Sequence, residues 1–230
     1  MIDDPRDRRT WRPQAFGRRA TRQVRDPIVE PLWSGIRVLA HVAGRSVEFV
    51  DIDGAPQQDW PATVEALAGA VQADGAILDG YLTTDAARDG AGVAAGPRPE
   101  TPTPGFMTRR LFLGGGGRDR AAEATAEVEA TREPTLSAHD DVRFVAVDLL
   151  MLDDQVLLDV PLLERKRLLD AVLVEGTLVR RGIHVRPPVN VWLGTWRNIG
   201  FRAVAFKDAN SRYRPGMTNE DWATAAIQRA

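Results

Sequence analysis

The chain has 230 residues, of which 43% are hydrophobic and 27% charged, with a formal net charge of -2. These values predict one globular α+β domain with a substantial core and argue against a chain that is basic throughout. The absence of cysteine excludes disulfides and zinc–cysteine sites. The three scattered histidines, His41, His139 and His184, show no metal-binding spacing. No run of 18 apolar residues or secretory signal occurs, so we expect a cytoplasmic protein without a membrane partner.

Residues 1–25 are polar and rich in arginine, with Trp11 and Phe16 among them. Guanidinium groups beside aromatic rings are typical of an arm that binds nucleic acid. The other interpretation is a solvated leader whose charge four aspartates partly offset. We expect a basic flexible leader over residues 1–25 and one domain over residues 26–230.

The first half of the domain alternates between strand and helix patterns. Residues 28–53 predict strands that include a hairpin, with its turn at Ala43-Gly44-Arg45. Residues 60–73 predict a helix with Pro61 in its first turn, and residues 76–82 predict a buried strand. Residues 84–140 are rich in Ala, Gly, Pro and Thr and predict a long flexible insertion, with one helix at 119–131.

The second half continues with an apolar strand predicted at 142–152. The later predictions are a helix at 161–174, one or two strands at 177–191, a short helix at 192–199, a strand at 203–207 and a helical turn from Asp221. Lys166 lies between two arginines on the 161–174 helix, and we expect it to be solvated. This order of elements predicts an α+β fold with mostly antiparallel sheets.

Four segments, in this order, resemble motifs of ATP-dependent DNA ligases. They are EPLWSGIR at 30–37 (motif I, usually E-P-K-W-D-G-x-R), ILDGYL at 77–82 (motif III, L-D-G-E-L), FVAVDLLMLD at 144–153 (motif IIIa, F-D-L-L-x-L-D-G) and GFRAVAFK at 200–207 (motif IV, G-x-E-G-V-V-A-K). The next residues, DANSRYRPG, are similar to a loop of bacterial end-joining ligases. The resemblance covers residues 26–83 and 142–222. It implies an ATP-grasp-like nucleotidyltransferase (adenylation) domain, and because the chain ends at Ala230 we expect no OB domain.

The resemblance implies a chemistry that several residues of this chain cannot perform. In the family a motif I lysine attacks the α-phosphate of ATP, carries AMP and passes it to a DNA nick. Leu32 stands at that position, and a leucine has no lone pair for the attack. Ser34 replaces the motif I aspartate, and Tyr81 replaces the motif III glutamate. Arg202 replaces the motif IV glutamate, so we do not expect Mg2+ binding, because the guanidinium would repel it by roughly 1 to 4 kcal/mol at about 4 Å. Residues 222–226, WATAA, stand where the family's motif V usually reads W-L-K-x-K, so the lysines of that motif are missing.

Other residues match binding positions of the family. Glu30 matches a residue that recognises adenine, Arg37 one near the ribose, and Lys207 the motif IV lysine, which together imply a partial site for ATP or AMP. The alternative for Glu30 is a surface carboxylate, and for Arg37 a surface ion pair. The DNA-binding candidates are Arg202, Arg212 and Arg214, for which the alternative is a solvated basic face.

Three hypotheses follow. The first is a catalytically inactive, ligase-like pseudoenzyme of DNA repair or recombination that binds a nucleotide, DNA, or a repair ligase or end-joining partner. The second is an active nucleotidyltransferase with an unusual nucleophile, for which Lys207 is the candidate. The third is a vestigial protein without activity. An adenylate adduct on the protein would separate the first two, and a gel shift on nicked DNA would separate the first from the third.

Overall fold

The computed structural model describes residues 8–85, 136–137 and 141–228. Most of the predicted 84–140 insertion, with its helix at 119–131, lies outside the described residues. The division of the chain into leader, domain and insertion stays a prediction. No helix in the described ranges is long and apolar enough to cross a membrane.

The larger sheet has seven strands, and all of its pairs except one are antiparallel. They are β3 (Ile36–Ala43), β4 (Ser46–Asp51), β5 (Pro56–Gln57), β6 (Gly75–Thr83), β7 (Arg143–Leu152), β8 (Gln155–Val156) and β9 (Val179–Arg181). Their order is β5-β4-β3-β6-β7-β8, with β9 also paired to β7, in parallel. The hairpin of β3 and β4 brings Ala43 opposite Ser46, which confirms the turn predicted at Ala43-Gly44-Arg45.

The smaller sheet has three antiparallel strands, β2 (Pro27–Pro31), β10 (Ala203–Asp208) and β12 (Trp222–Ala226), in the order β12-β10-β2. A short parallel pair joins β1 (Ala15–Phe16) to β11 (Thr218–Asn219). The predicted helical turn from Asp221 is wrong, because residues 222–226 bond along β10 as a strand.

Three α-helices are described: α1 (Pro61–Ala70), α2 (Leu162–Val172) and α3 (Asn190–Asn198). They confirm the helices predicted at 60–73, 161–174 and 192–199. Pro61 opens α1 as its pattern indicated, and Leu162 and Leu169 form the buried stripe of α2. Together with the two sheets, they confirm the predicted α+β, antiparallel-sheet-rich fold class.

Both faces of the larger sheet are buried in its centre. On one face, Leu82 and Phe144 pack with residues of α1 and α2. On the other face, Tyr81 and Val145 pack against the smaller sheet and α3. Burial on both faces explains why residues 142–152 are almost continuously apolar rather than alternating. Leu32 also lies in this space between the two sheets.

Several residues of the 8–25 stretch contact the core or the smaller sheet. Trp11 is 3% exposed, and Gln14 is fully buried. The backbone N–H of Gly17 donates to the Trp222 carbonyl at 2.8 Å. Composition suggested a solvated arm because arginines dominate it, but the few residues between them supply the core contacts.

Candidate functional site

Leu32, at the motif I lysine position, directly follows β2. Its N–H donates to the Ala203 carbonyl at 2.9 Å, which fixes it beside the first residue of β10. Its side chain is only 8% exposed and packs in the core between the sheets, in the same cluster as Trp33 and Tyr81. An aliphatic side chain is stabilised by this apolar setting, and it offers no group for covalent chemistry.

Two residues before Leu32, Glu30 is held between two lysines. Its Oε1 lies 2.5 Å from the Nζ of Lys166, and its Oε2 accepts a hydrogen bond from the Nζ of Lys207 at 2.7 Å. The three residues are 2 to 3% exposed. We call this buried cluster the Glu30–Lys166–Lys207 triad. It joins β2, α2 and β10 through charge-assisted contacts.

Each lysine of the triad has a second partner. Lys166 donates to the Val147 carbonyl at 2.7 Å. The Nζ of Lys207 lies 4.2 Å from the ring centroid of Trp222, a cation–π geometry. The expectation that Lys166 is solvated is therefore wrong: it lies on the buried face of α2, where the carboxylate of Glu30 compensates its charge.

The triad sets the ionisation of the groups around it. Burial disfavours the charged form of Glu30, but the attraction of Lys166 and Lys207 outweighs it and lowers the pKa of Glu30 from 4.5 to about 2. Burial lowers the pKa of the nearby His184, and the positive charge of Lys166 acts in the same direction. The triad carries one more positive than negative charge, and His184 is therefore favoured in its neutral form.

Arg37 belongs to a second closed network. Its guanidinium donates to both carboxylate oxygens of Asp79, at 3.1 and 2.7 Å, and to the Gln14 carbonyl at 2.6 Å. The Tyr213 hydroxyl donates to Asp79 at 2.8 Å. Burial disfavours the charge on Arg37, but Asp79 raises its pKa well above the ordinary value. The Arg37 guanidinium is thus committed to partners within the chain.

These networks bear on the expected nucleotide site. The structure brings Glu30 and Lys207 together, but it pairs them with each other, and it places Arg37 in a separate network. A nucleotide could therefore use these side chains only by displacing the contacts that they make within the chain.

The positions implied for a divalent metal do not fit one. Tyr81, at one of these positions, lies in an apolar core, and Arg202, at the other, brings a positive charge. Mg2+ prefers oxygen ligands, and neither side chain is a carboxylate. Over the described ranges, no group of three or more His, Cys, Asp and Glu residues has a geometry that could hold a metal ion.

The three arginines predicted to bind DNA are all exposed, but they are not together. Arg202 precedes the start of β10, whereas Arg212 and Arg214 follow its other end. The five residue steps of β10 span roughly 17 Å at about 3.4 Å each. Arg212 also pairs with Asp159 at 2.7 Å. The structure therefore divides the predicted set into two separate places.

Sequence reasoning missed several residues that build the site. Lys166 lies in a stretch with a helical pattern, and nothing in that pattern indicates that it faces Glu30. Gln14 bonds to four residues through its backbone and side chain, and its partners include Arg37 and Tyr213. Arg165 makes a fully buried pair with Asp148 at 2.8 Å. The match of Arg165 and Asp148 to the family's helix and motif IIIa was the one available signal.

Comparisons with known proteins show what the fold is similar to. Neither a protein-family model nor a curated protein matches the sequence. Among solved structures, the ligase domain of M. tuberculosis LigD matches with a TM-score of 0.61 and 18% identity, covering 96% of this chain and 60% of that one. A mycobacterial DNA ligase D complexed with ATP and MES matches with a TM-score of 0.60 and 17% identity, covering 95% of this chain and 60% of that one.

The chain thus spans 60% of the length of these two structures. At such low identity the likeness establishes the fold and leaves activity open. The antiparallel sheets, the three helices and the site between the sheets agree with it. The chain has the nucleotidyltransferase fold of the catalytic domain of ATP-dependent DNA ligases.

Proposed function

We propose that this chain is a ligase-fold protein of DNA repair that forms no enzyme–AMP intermediate and binds nucleic acid without covalent chemistry. One observation carries the proposal. The chain has only two lysines, and both contact the same carboxylate, that of the buried Glu30. Glu30 lies two residues before the aliphatic Leu32.

The triad leaves no reactive amine near Leu32. An ammonium group has no lone pair, so it must lose a proton before it can attack a phosphate. Both lysine nitrogens already contact the carboxylate of Glu30, and all three side chains are buried. In-line attack further requires a free approach of about 3–3.5 Å, and both lysines already point at the carboxylate.

Nucleic acid is a better candidate ligand than ATP. Of the side chains expected to hold ATP, Glu30 and Lys207 are buried and bonded to each other, and Arg37 is bonded to Asp79 and Gln14. The exposed arginines, in contrast, are on the surface and suit the phosphates of a long polyanion. The solved ligase structures that share the fold support an association with DNA.

The covalent half of the proposal is tested by incubating the protein with ATP and Mg2+ and recording its intact mass. We expect no gain of one adenylate, while an active DNA ligase domain treated in the same way gains it. An acid-labile, alkali-stable adduct on any residue of this chain would overturn this half and favour an enzyme with an unusual nucleophile.

The binding half is tested by a gel shift on nicked duplex DNA at increasing salt. We expect an affinity that falls steeply with salt, because each neutralised phosphate releases condensed counterions. If no shift occurs even at low salt, the chain does not bind DNA, and the vestigial interpretation is supported instead.

A further inference from the structure

Arg197 and Arg202 lie on the two sides of one fixed turn. Gly200, with φ +105°, donates its N–H to the Arg197 carbonyl at 3.0 Å, and the N–H of Phe201 donates to the Trp196 carbonyl at 2.9 Å. These two bonds form a Schellman motif, which ends α3 and needs a residue such as glycine at positive φ. Trp196 and Phe201 are buried in the core between the sheets, so the turn is anchored.

Both arginines also contact the chain just beyond β12. The Arg202 carbonyl accepts a hydrogen bond from the N–H of Ile227 at 2.7 Å. The Nη1 of Arg197 donates to the Gln228 carbonyl at 3.3 Å. The two residues therefore lie at the same end of the smaller sheet, the end at which Leu32 bonds to Ala203.

This end of the sheet carries uncompensated positive charge. Arg197 and Arg202 are exposed, and neither forms an ion pair with any described residue. Arg212, at the other end of β10, differs because Asp159 neutralises it. Apart from the Arg197–Gln228 bond, the two guanidinium groups beside this anchored turn have N–H donors available to a ligand.

We infer that Arg197 and Arg202 form a phosphate-binding site for the backbone of a nucleic-acid strand, and that this site needs no metal ion. The inference rests on the proposed function and specifies where it is performed. A guanidinium carries its own positive charge, and its planar pair of N–H groups matches two phosphate oxygens. It can thus bind phosphate directly, without a bridging divalent cation.

The surroundings favour a strand at the surface over an enclosed nucleotide. The adjacent interior is filled by Leu32 and by the edge-to-face pair of Trp33 and Phe201, whose ring centroids are 4.9 Å apart. A ligand on Arg197 and Arg202 therefore stays outside the core. Surface contacts of this kind gain from counterion release, which a long polyanion provides more strongly than a single nucleotide.

The test compares Arg197→Ala, Arg202→Ala and the double variant with the control Arg45→Ala. Arg45 is also exposed, but it lies in the β3–β4 turn, at the end of β3 opposite to Ile36. Arg45→Ala therefore removes the same charge at a different place on the molecule. Anisotropy of labelled duplex DNA is measured over a range of salt, without Mg2+ and with a chelator. Unfolding curves confirm that every variant is folded.

We expect each single variant to reduce the slope of log affinity against log salt by about 0.9, and the double variant by about 1.8. Arg45→Ala should leave the slope unchanged, and Arg202→Glu should weaken binding more than Arg202→Ala. Three results would each overturn this inference and leave the proposed function standing. They are equal slopes for wild type and double variant, the same loss of slope in Arg45→Ala, and a requirement for Mg2+. Absence of binding by the wild type would overturn the proposed function as well.

Discussion

At the scale of single residues, the Glu30–Lys166–Lys207 triad buries three charged side chains together. Two ammonium groups and one carboxylate are 2 to 3% exposed, so each has lost its hydration. Their attraction compensates this loss only while all three are present. Glu30 is the central member because each lysine contacts it. Its removal leaves two buried positive charges beside each other.

Glu30→Gln should therefore destabilise the fold strongly. We expect a loss of about 3–5 kcal/mol in the free energy of unfolding, the range for breaking a buried ion pair. The matched control is Glu164→Gln, because Glu164 pairs with Arg167 on the exposed side of α2. Exposed pairs contribute about 0–1 kcal/mol. Urea denaturation of both variants measures the difference, and equal losses would contradict a stabilising role for the triad.

The same carboxylate gives an expected pH dependence. Its pKa is lowered on folding from 4.5 to about 2, so the folded state holds its proton less tightly than the unfolded state. The stability that Glu30 contributes is complete above about pH 4.5 and is lost as the pH falls towards about 2. Urea denaturation between these pH values should show a decline in the free energy of unfolding, and this decline should be smaller in Glu30→Gln than in the wild type. A parallel decline in both proteins would argue against Glu30 as its source.

At the scale of elements, the periodic patterns predicted the hairpin, the three helices and the central strands. They failed where long-range pairing decides the structure. Residues 222–226 form a strand because β10 supplies their hydrogen-bond partners, and no local pattern records that. Lys166 is buried because Glu30, far away in sequence, faces it. The motifs singled out Glu30 and Lys207, which the structure brings into contact, but that contact depends on the tertiary packing of β2, α2 and β10.

Gly80, in the motif III strand β6, makes a close contact that a local pattern also could not reveal. A Cβ added there would lie 2.5 Å from ring atoms of Phe144 and 2.6 Å from the Val145 carbonyl oxygen. We expect Gly80→Ala to destabilise the protein by about 1–3 kcal/mol or more, because β6 and β7 must separate. Gly69→Ala is the control. Gly69 is exposed in α1 with no atom within 4 Å of an added Cβ, so the change should stabilise the helix by about 0.5–1 kcal/mol. Thermal unfolding measures the stability of both variants. An unchanged stability in Gly80→Ala would contradict the close contact of Gly80 with Phe144 and Val145.

At the scale of the whole molecule, the segment of residues 8–26 is bonded to both sheets. Gln14 bonds to Arg37 of the larger sheet and to Tyr213 of the loop after β10. The β1–β11 pair and the Gly17–Trp222 bond attach it further. These contacts link both sheets through one short stretch of chain. Loss of the segment would therefore weaken the domain as a whole.

Trp11→Ala tests this integration. Trp11 is 3% exposed and packs in a core cluster with Ile28 and Trp222, so its truncation should cost about 3–5 kcal/mol. Ile52→Ala, at a position 55% exposed, should change stability by about 0.5 kcal/mol or less. Because the segment is part of the domain, Trp11→Ala should shift one single unfolding transition, recorded by both circular dichroism and tryptophan fluorescence. Native-state proteolysis should cut the segment only when the whole domain opens. Cleavage near residues 17–27 that leaves the two sheets folded would instead show that the segment is a separate arm.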